Sequence, residues 1–217
     1  MSLRILWQDE SLACCEKPAG ILSEGELPAL VREACGCPAA FLVHRLDRDV
    51  GGAMVTAKTQ KAAAALSAQI QNGQFQKEYL AVVCGCPKEP DGTLRDLLFH
   101  DAKKNKTFVV RRERKGVREA VLSYRVLAHT ADAPFGEASL VCIRLETGRT
   151  HQIRVQFASR QLPLAGDRRY GGRGICGIAL WSRRISFLHP VTGESLEITA
   201  PPPDQFPWNL FPGAVPP

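Results

Sequence analysis

From Thr59 to Gly73 the chain reads TQKAAAALSAQIQNG, a helix with a stop signal at each end. Thr59 is a side-chain N-cap, the alanines carry the highest helix propensity, and Gly73 stands where a left-handed residue ends a helix. Little else in the sequence is like it. On either side the apolar residues come in short runs or alternate with polar ones, as in FQKEYLAVVCG, ASLVCIRLETG, IALWSRRISFLHP and ESLEITAP, each bounded by glycine, proline or charge. Such segments are strands. TFVVRRERKGVREAVLSYRVLAH reads as two strands around a basic turn, a hairpin, and FLV and GGAMVTA as a strand pair around HRLDRD. Two shorter helices complete the reading: ELPALVREACG, and RTHQIRVQFASRQLP with Thr150 as N-cap and Ile153 and Phe157 one turn apart. Strands outnumber helices and short turns join them. This predicts an α+β fold with a mixed, largely antiparallel central sheet and flanking helices.

The 217 residues are 45% hydrophobic, enough for one sizeable core, and no linker or internal repeat interrupts them. One domain over 1–217 is expected, ending in a proline-rich tail from about 201 that runs extended along the surface. The N-terminus meets charge too early for a signal peptide, and no apolar run is long enough to span a bilayer, so the expectation is a cytoplasmic protein without membrane contact. A net charge of +6 favours an acidic partner, nucleic acid being the commonest.

Several motifs invite chemistry. Cys35 and Cys37, and again Cys84 and Cys86, occur as CGCP. A four-thiolate zinc site would require them, but Cys-x-Cys is a poorer chelating spacing than Cys-x2-Cys and no histidines cluster nearby, so reduced, half-buried thiols and no metal are expected. GRGICG at 172–177 matches a dinucleotide loop, without the strand before it and helix after it that such a loop needs. HRLD differs from a kinase catalytic loop by an inserted leucine, and Asp47 with Asp49, about 7 Å apart on one strand face, lacks the aromatic platforms of a glycosidase groove. The basic stretch from Lys103 to Arg118, with Arg111, Arg112 and Arg114 at its centre, is either a solvated hairpin or a phosphate-binding surface; the apolar strands beside it favour the second.

Four segments in order, HRLDRDVGGAMVTAKT, QKEYLAVVCG, ETGRTHQIRVQFASRQLPLAGDRRYGG and FLHPVTGESLEITAP, together with EKPAGILSE near the start, resemble the RluA family of RNA pseudouridine synthases. The resemblance runs from about residue 4 to residue 207. It implies the pseudouridine synthase catalytic fold without the S4-type RNA-binding domain that many members carry. It implies an isomerase that needs no cofactor and turns specific uridines of ribosomal or transfer RNA into pseudouridine, working as a monomer without an obligatory protein partner.

By the same resemblance Asp47 is the catalytic carboxylate, Arg154 its basic partner and Tyr79 the tyrosine against the uracil. Arg45 is the residue that contacts RNA where the target base leaves the stack; apart from the resemblance, Arg149 and the basic-stretch Arg111, Arg112 and Arg114 are expected to meet RNA as well. His44 is a scaffold residue. One departure stands beside Asp47: the family usually has Thr-Ser-Gly where this chain has Val50, Gly51 and Gly52. Two hydroxyls are lost there, which keeps a second reading open: an RNA-binding protein on the same fold that has lost catalysis. A zinc-dependent nucleic-acid-binding module using the Cys-Gly-Cys pairs is a third.

Overall fold

A computed structural model describes residues 3–174 and 176–215. Their contacts divide the chain into two compact units, one formed by 1–78 and 181–202, the other by 79–180 and 203–217. Among the described residues the chain order is β1 (Arg4–Gln8), β2 (Leu12–Lys17), α1 (Glu26–Cys35), β3 (Phe41–Leu42), β4 (Gly51–Ala57), α2 (Gln60–Gln71), β5 (Gln76–Cys84), β6 (Asp91–Asp101), β7 (Lys106–Val110), β8 (Val117–Ala133), β9 (Gly136–Leu145), α3 (Gln152–Ala158), β10 (Leu180–Leu188) and β11 (Ser195–Thr199). The α+β class with a mixed, mostly antiparallel sheet is as the alternation implied.

In the first unit β2 is antiparallel to β1 and to β4, and β10 is antiparallel to β11. Between β4 and β10 the pairing is parallel, with Gly51 opposite Trp181 and Gly52 opposite Ser182. All of β4 is buried, so it reads as a continuous small and apolar run rather than an alternation. Helix α2 covers one face through Ala62 and Leu66, which share a buried cluster with Leu12, Val55, Phe75, Ile185 and Phe187. Phe75 and Phe187 stack with ring centroids 5.3 Å apart. Thr59 Oγ1 accepts the Ala62 N–H at 3.2 Å, the cap its sequence position requires, and Gly73 takes a left-handed φ of 71°. The strands β3 and β4 pair with Phe41 opposite Ala57 and Leu42 opposite Thr56, so residues 43–50 form the charged loop between them.

The second unit is built on β6, which is antiparallel to both β7 and β8. The two strands flanking the basic stretch therefore form, but not as a hairpin with each other. Leu97 of β6 lies between Val110 of β7 and Glu119 of β8, and residues 111–116 cross the end of β6. The preceding DLLFHD run pairs on both edges and separates the two strands; the tight turn is instead at 102–105, between β6 and β7. The long strand β8 pairs with β9 and bends at register shifts after Val126 and Thr130.

The tail also departs from its expected surface course. Trp208 and Phe211 are 6% and 3% exposed, a short 3-10 turn spans Trp208–Leu210, and Phe206 packs edge-on against Phe135. Burying large aromatic side chains, at about 1.5–3 kcal/mol each, outweighs the extended preference of the prolines.

Candidate active site

Residues 43–50 are held from beneath. His44 is buried against Phe75, and its Nε2 accepts the Val55 N–H at 3.2 Å. Burial, with Lys77 adding to it, pushes its pKa well down, so the ring is a neutral scaffold. Ser23 Oγ brackets the next turn: it donates to the Leu46 carbonyl at 2.9 Å and accepts the Leu46 N–H at 3.1 Å. Asp47 then opens a turn closed by Val50 N–H donating to its carbonyl at 3.1 Å. Its side chain is half-buried, while Arg45, Arg48 and Asp49 are exposed. Arg45 reaches Glu24 at 3.0 Å with both side chains largely in solvent, a pair that contributes little to stability.

Lys17 is the residue that explains the loop's position, and the sequence reading missed it. Its side chain is fully buried, and Nζ donates to the carbonyls of Pro18 at 2.9 Å, Ile21 at 2.7 Å and Arg48 at 3.1 Å. The KPAG turn and the Asp47 turn are thus tied to one ammonium. Arg48 strengthens the tie by donating from Nε to Gly20 O at 2.9 Å and accepting the Gly20 N–H at 2.8 Å. Burial brings the Lys17 pKa down to about 8, against the opposing charges of Asp49 and Asp47.

Beyond the turn, Gly51 and Gly52 are dictated by β10. A Cβ on Gly51 would overlap the Trp181 ring at Cζ3 and lie 2.9 Å from Cη2. Gly52 has φ +117° and sits against the Ser182 backbone, with its Cα side facing the carbonyl too closely for any side chain. The missing family hydroxyl at position 51 is therefore matched by an indole that fills its place.

The second unit carries Tyr79, Arg149, Arg154 and the basic segment. Tyr79 is 6% exposed on β5. Helix α3 starts one residue later than Thr150 suggests: its N-cap is His151, in a left-handed conformation with φ 54° and no side-chain cap bond. Thr150 instead gives its carbonyl to Thr107 Oγ1 at 2.8 Å, and the Gln152 side chain takes the Arg149 N–H at 3.0 Å. Gln152 through Phe157 are all buried, including Arg154 at 5% exposure. Arg154 is thus no solvent-facing helix arginine. Its Nε donates to Asp167 Oδ2 at 2.6 Å and its Nη2 to Asp167 Oδ1 at 2.9 Å. The Tyr170 ring lies beneath its Cζ, 5.2 Å from the centroid.

Arg149 is exposed, with Nε on the Glu119 carbonyl at 3.0 Å. Arg111, Arg112 and Arg114 are exposed together on the crossing segment, and Arg114 stacks on Phe99 with Cζ 4.6 Å from the ring centroid. Around Gly172–Gly177 the described backbone is loop, preceded by a 3-10 turn at Arg168–Tyr170, while residue 175 of the motif lies outside the described residues. Among the described residues no group of three or more His, Cys, Asp or Glu side chains is arranged to hold a metal ion, and no helix is long and apolar enough to cross a membrane.

Comparison with known proteins adds the family. The profile of a family described as RNA pseudouridylate synthase matches residues 11–159. An uncharacterised RNA pseudouridine synthase of Synechocystis sp. is 36% identical over 94% of this chain and 67% of its own length. Ribosomal large subunit pseudouridine synthase D of Xanthomonas campestris is 35% identical over 93% of this chain and 66% of its own. The chain thus spans about two thirds of the length of these relatives. Among solved structures, human RNA pseudouridylate synthase domain containing 1 superposes with a TM-score of 0.79 at 22% identity, covering 94% of this chain and 84% of that one. Human RNA pseudouridylate synthase domain containing 4 gives 0.74 at 23%, covering 92% and 88%. At that identity the two structures speak for the fold.

Proposed function

The chain belongs to the RluA-type family of RNA pseudouridylate synthases, and from that premise we propose that it isomerises specific uridines to pseudouridine with Asp47 as the catalytic carboxylate. The observation that carries the assignment is the mounting of Asp47. It is a half-buried carboxylate on a turn that a fully buried lysine ties down from inside, flanked by exposed arginines. A reactive group needs this combination of access and fixed geometry.

The reaction breaks the bond from uracil N1 to C1′, turns the base, and joins C5 to C1′. C5 loses its proton and N1 gains one, so the isomerisation is redox-neutral and balances without a cofactor. Asp47 serves either by attacking C1′ or by removing the 2′ proton. Arg154 supplies the positive charge for Asp47 and so offsets the cost of desolvating a carboxylate under a flipped base. Tyr79 stacks on the uracil and is placed to assist loss of the C5 proton. Arg45 leaves Glu24 and fills the gap in the RNA stack, offsetting part of the few kcal/mol that extrusion costs. Arg111, Arg112, Arg114 and Arg149 meet phosphates. Ribosomal RNA is the favoured substrate, because the relative from Xanthomonas campestris is named for the large ribosomal subunit, with transfer RNA as the other candidate. The protein acts in the cytoplasm as a monomer.

The decisive experiment is Asp47→Asn, which keeps the shape and removes the anion. Pseudouridine formation on a substrate RNA found by mapping the modification with and without the gene should be abolished. RNA affinity should stay within about threefold, less than about 0.7 kcal/mol. Turnover by the variant would refute the assignment. The reading of a catalytically silent RNA binder is favoured only if no pseudouridine in the mapped RNA depends on the gene.

A further inference from the structure

Arg154 is held by two residues that the sequence reading did not single out. A guanidinium has five N–H donors in one plane. Asp167 takes the side-on pair, Nε and Nη2, at 2.6 and 2.9 Å, which fixes the plane's rotation and turns the Nη1–Nη2 edge away from Asp167. Tyr170 fixes the remaining freedom by lying under the plane.

Both residues are themselves anchored. Asp167 is fully buried, its N–H donates to Leu164 O at 3.1 Å, and its carbonyl accepts from Tyr170 N at 3.1 Å and Gly172 N at 2.8 Å. Gly172 packs so closely on this turn that a Cβ there would lie 2.7 Å from Asp167 N. The Tyr170 hydroxyl accepts the Thr107 N–H at 2.8 Å and shares a hydrogen bond with His151 Nδ1 at 3.0 Å. Thr107 continues through Oγ1 to Thr150 O at 2.8 Å and to His100 Nδ1 at 3.1 Å. The network thus runs from β7 through Tyr170 to the start of α3 and ends on Arg154.

We infer that Asp167 and Tyr170 are positioning residues for the reaction: they aim the Arg154 guanidinium, and Asp167 also sets how much positive charge Arg154 offers to a second anion. This rests on the assignment of Arg154 as the basic partner of Asp47. A lone Arg154 would be a full cation, whereas paired with Asp167 it is close to neutral as a unit. Removing the Asp167 charge should therefore strengthen the hold on the anionic form of Asp47 while loosening the geometry. Those two effects have separate signatures.

The test compares Asp167→Asn, Tyr170→Phe and Arg154→Ala in the full chain, on the RNA that the parent modifies. Asp167→Asn should lower kcat by about tenfold to a hundredfold, the effect of a displacement on the order of 1 Å, with KM within about threefold. Its acid limb should move to lower pH, while that of Arg154→Ala moves to higher pH. A residue that merely supports the fold would not give opposite displacements. Tyr170→Phe keeps the ring and loses only the hydroxyl bonds, so it should fold. It should lower kcat by about threefold to tenfold, again with KM nearly constant, as expected of a smaller misalignment. A second measurement needs no turnover: the Arg154 Nε–H signal in a proton–nitrogen correlation spectrum, identified by its disappearance in Arg154→Ala. It should be sharp and slow to exchange in the parent and broadened or absent in Asp167→Asn. Parental kcat and an unmoved acid limb in folded Asp167→Asn would overturn the inference. If that variant does not fold, parental kcat in Tyr170→Phe, or a fast-exchanging Nε–H in the parent, would overturn it. Turnover by Asp47→Asn would instead sink the underlying assignment, whatever Asp167 does.

Discussion

Replacing Gly51 by serine, the residue the family usually has there, should damage this protein, and the damage should be reversible at a second position. The new Cβ would overlap Trp181 and lie 3.0 Å from the carbonyl of Lys17 on the other side, so neither flank has room. Trp181 is 7% exposed, and its Nε1 donates to Ala200 O at 2.9 Å, so moving the ring sacrifices a buried hydrogen bond. Overpacking costs about 1–3 kcal/mol, and a strained or broken bond adds about 1 kcal/mol. The entropy that any side chain removes from the unfolded chain returns about 0.5 kcal/mol. The net expectation is a loss of about 2 kcal/mol, or about 4–8 °C in Tm for a chain of this size. Trp181→Leu alone should also destabilise, by about 2–4 kcal/mol, through the cavity it leaves. In the double variant the leucine vacates the ring volume that the serine needs. The two losses should then fall short of their sum by about 1–3 kcal/mol. Urea unfolding of the four proteins, followed by circular dichroism, measures the cycle. Because Gly51 follows the residue that closes the Asp47 turn, turnover should fall in Gly51→Ser and recover in the double variant. A single-variant loss below about 0.5 kcal/mol, or additivity within about 0.5 kcal/mol, would refute the argument that Trp181 forced glycine here.

Two further expectations concern charge. Neutralising Arg111, Arg112 and Arg114 together should weaken binding to all RNAs and reduce the slope of log affinity against log salt by about two, at about 0.7 to 0.9 per phosphate contact; an unchanged slope would mean that the segment is only solvated. Lys17 should make stability depend on alkaline pH. Its folded pKa is about 8 against 10.5 in the free side chain, so between those values the unfolded chain holds a proton that the folded chain has released. Stability relative to Lys17→Met should therefore rise across that window, by up to about 3 kcal/mol. Denaturant midpoints of both proteins at either end of the window test this, and parallel curves would contradict it.

The elements that the sequence made legible are those governed by near neighbours. Helix α2 carries both of its stop signals within its own residues, and Thr59 and Gly73 act as their types require. The charged loop is flanked by segments that pair, as their apolar runs imply. Errors arose where a distant partner decides. The basic stretch has the local pattern of a hairpin, but β6 pairs with both of its strands and comes between them. The tail has the composition of an extended segment, yet Trp208 and Phe211 are buried and Phe206 packs edge-on against Phe135. Thr150 has the chemistry of an N-cap, but its carbonyl is engaged by Thr107 and the helix starts one residue later.

The same distinction separates the proposed reactive groups from those proposed to aim them. HRLDRD stands out as a charged loop between apolar runs, and the family resemblance is what assigns Asp47 and Arg45 their roles. Lys17 and Asp167 give no such signal. Each is a charged residue whose burial depends in part on the fold: beside its local bonds to Pro18 and Ile21, Lys17 reaches Arg48 31 positions away, and Asp167 pairs with Arg154 13 positions away. A buried charge left without a partner costs several kcal/mol, so both must be satisfied in the folded chain, but which residue satisfies them is set by the fold. The lone clue was positional. Lys17 ends β2, one residue beyond the half-buried Glu16 that follows the buried run Leu12–Cys15, and Asp167 sits between Gly166, with φ +75°, and a tyrosine three residues on. A charge at the end of an apolar strand, or in a turn that only glycine can make, is where a chain can bury an ion at fixed geometry. That is the property the proposed site needs if Asp47 is to react while half open to solvent: the rigidity is supplied by charges that solvent does not reach.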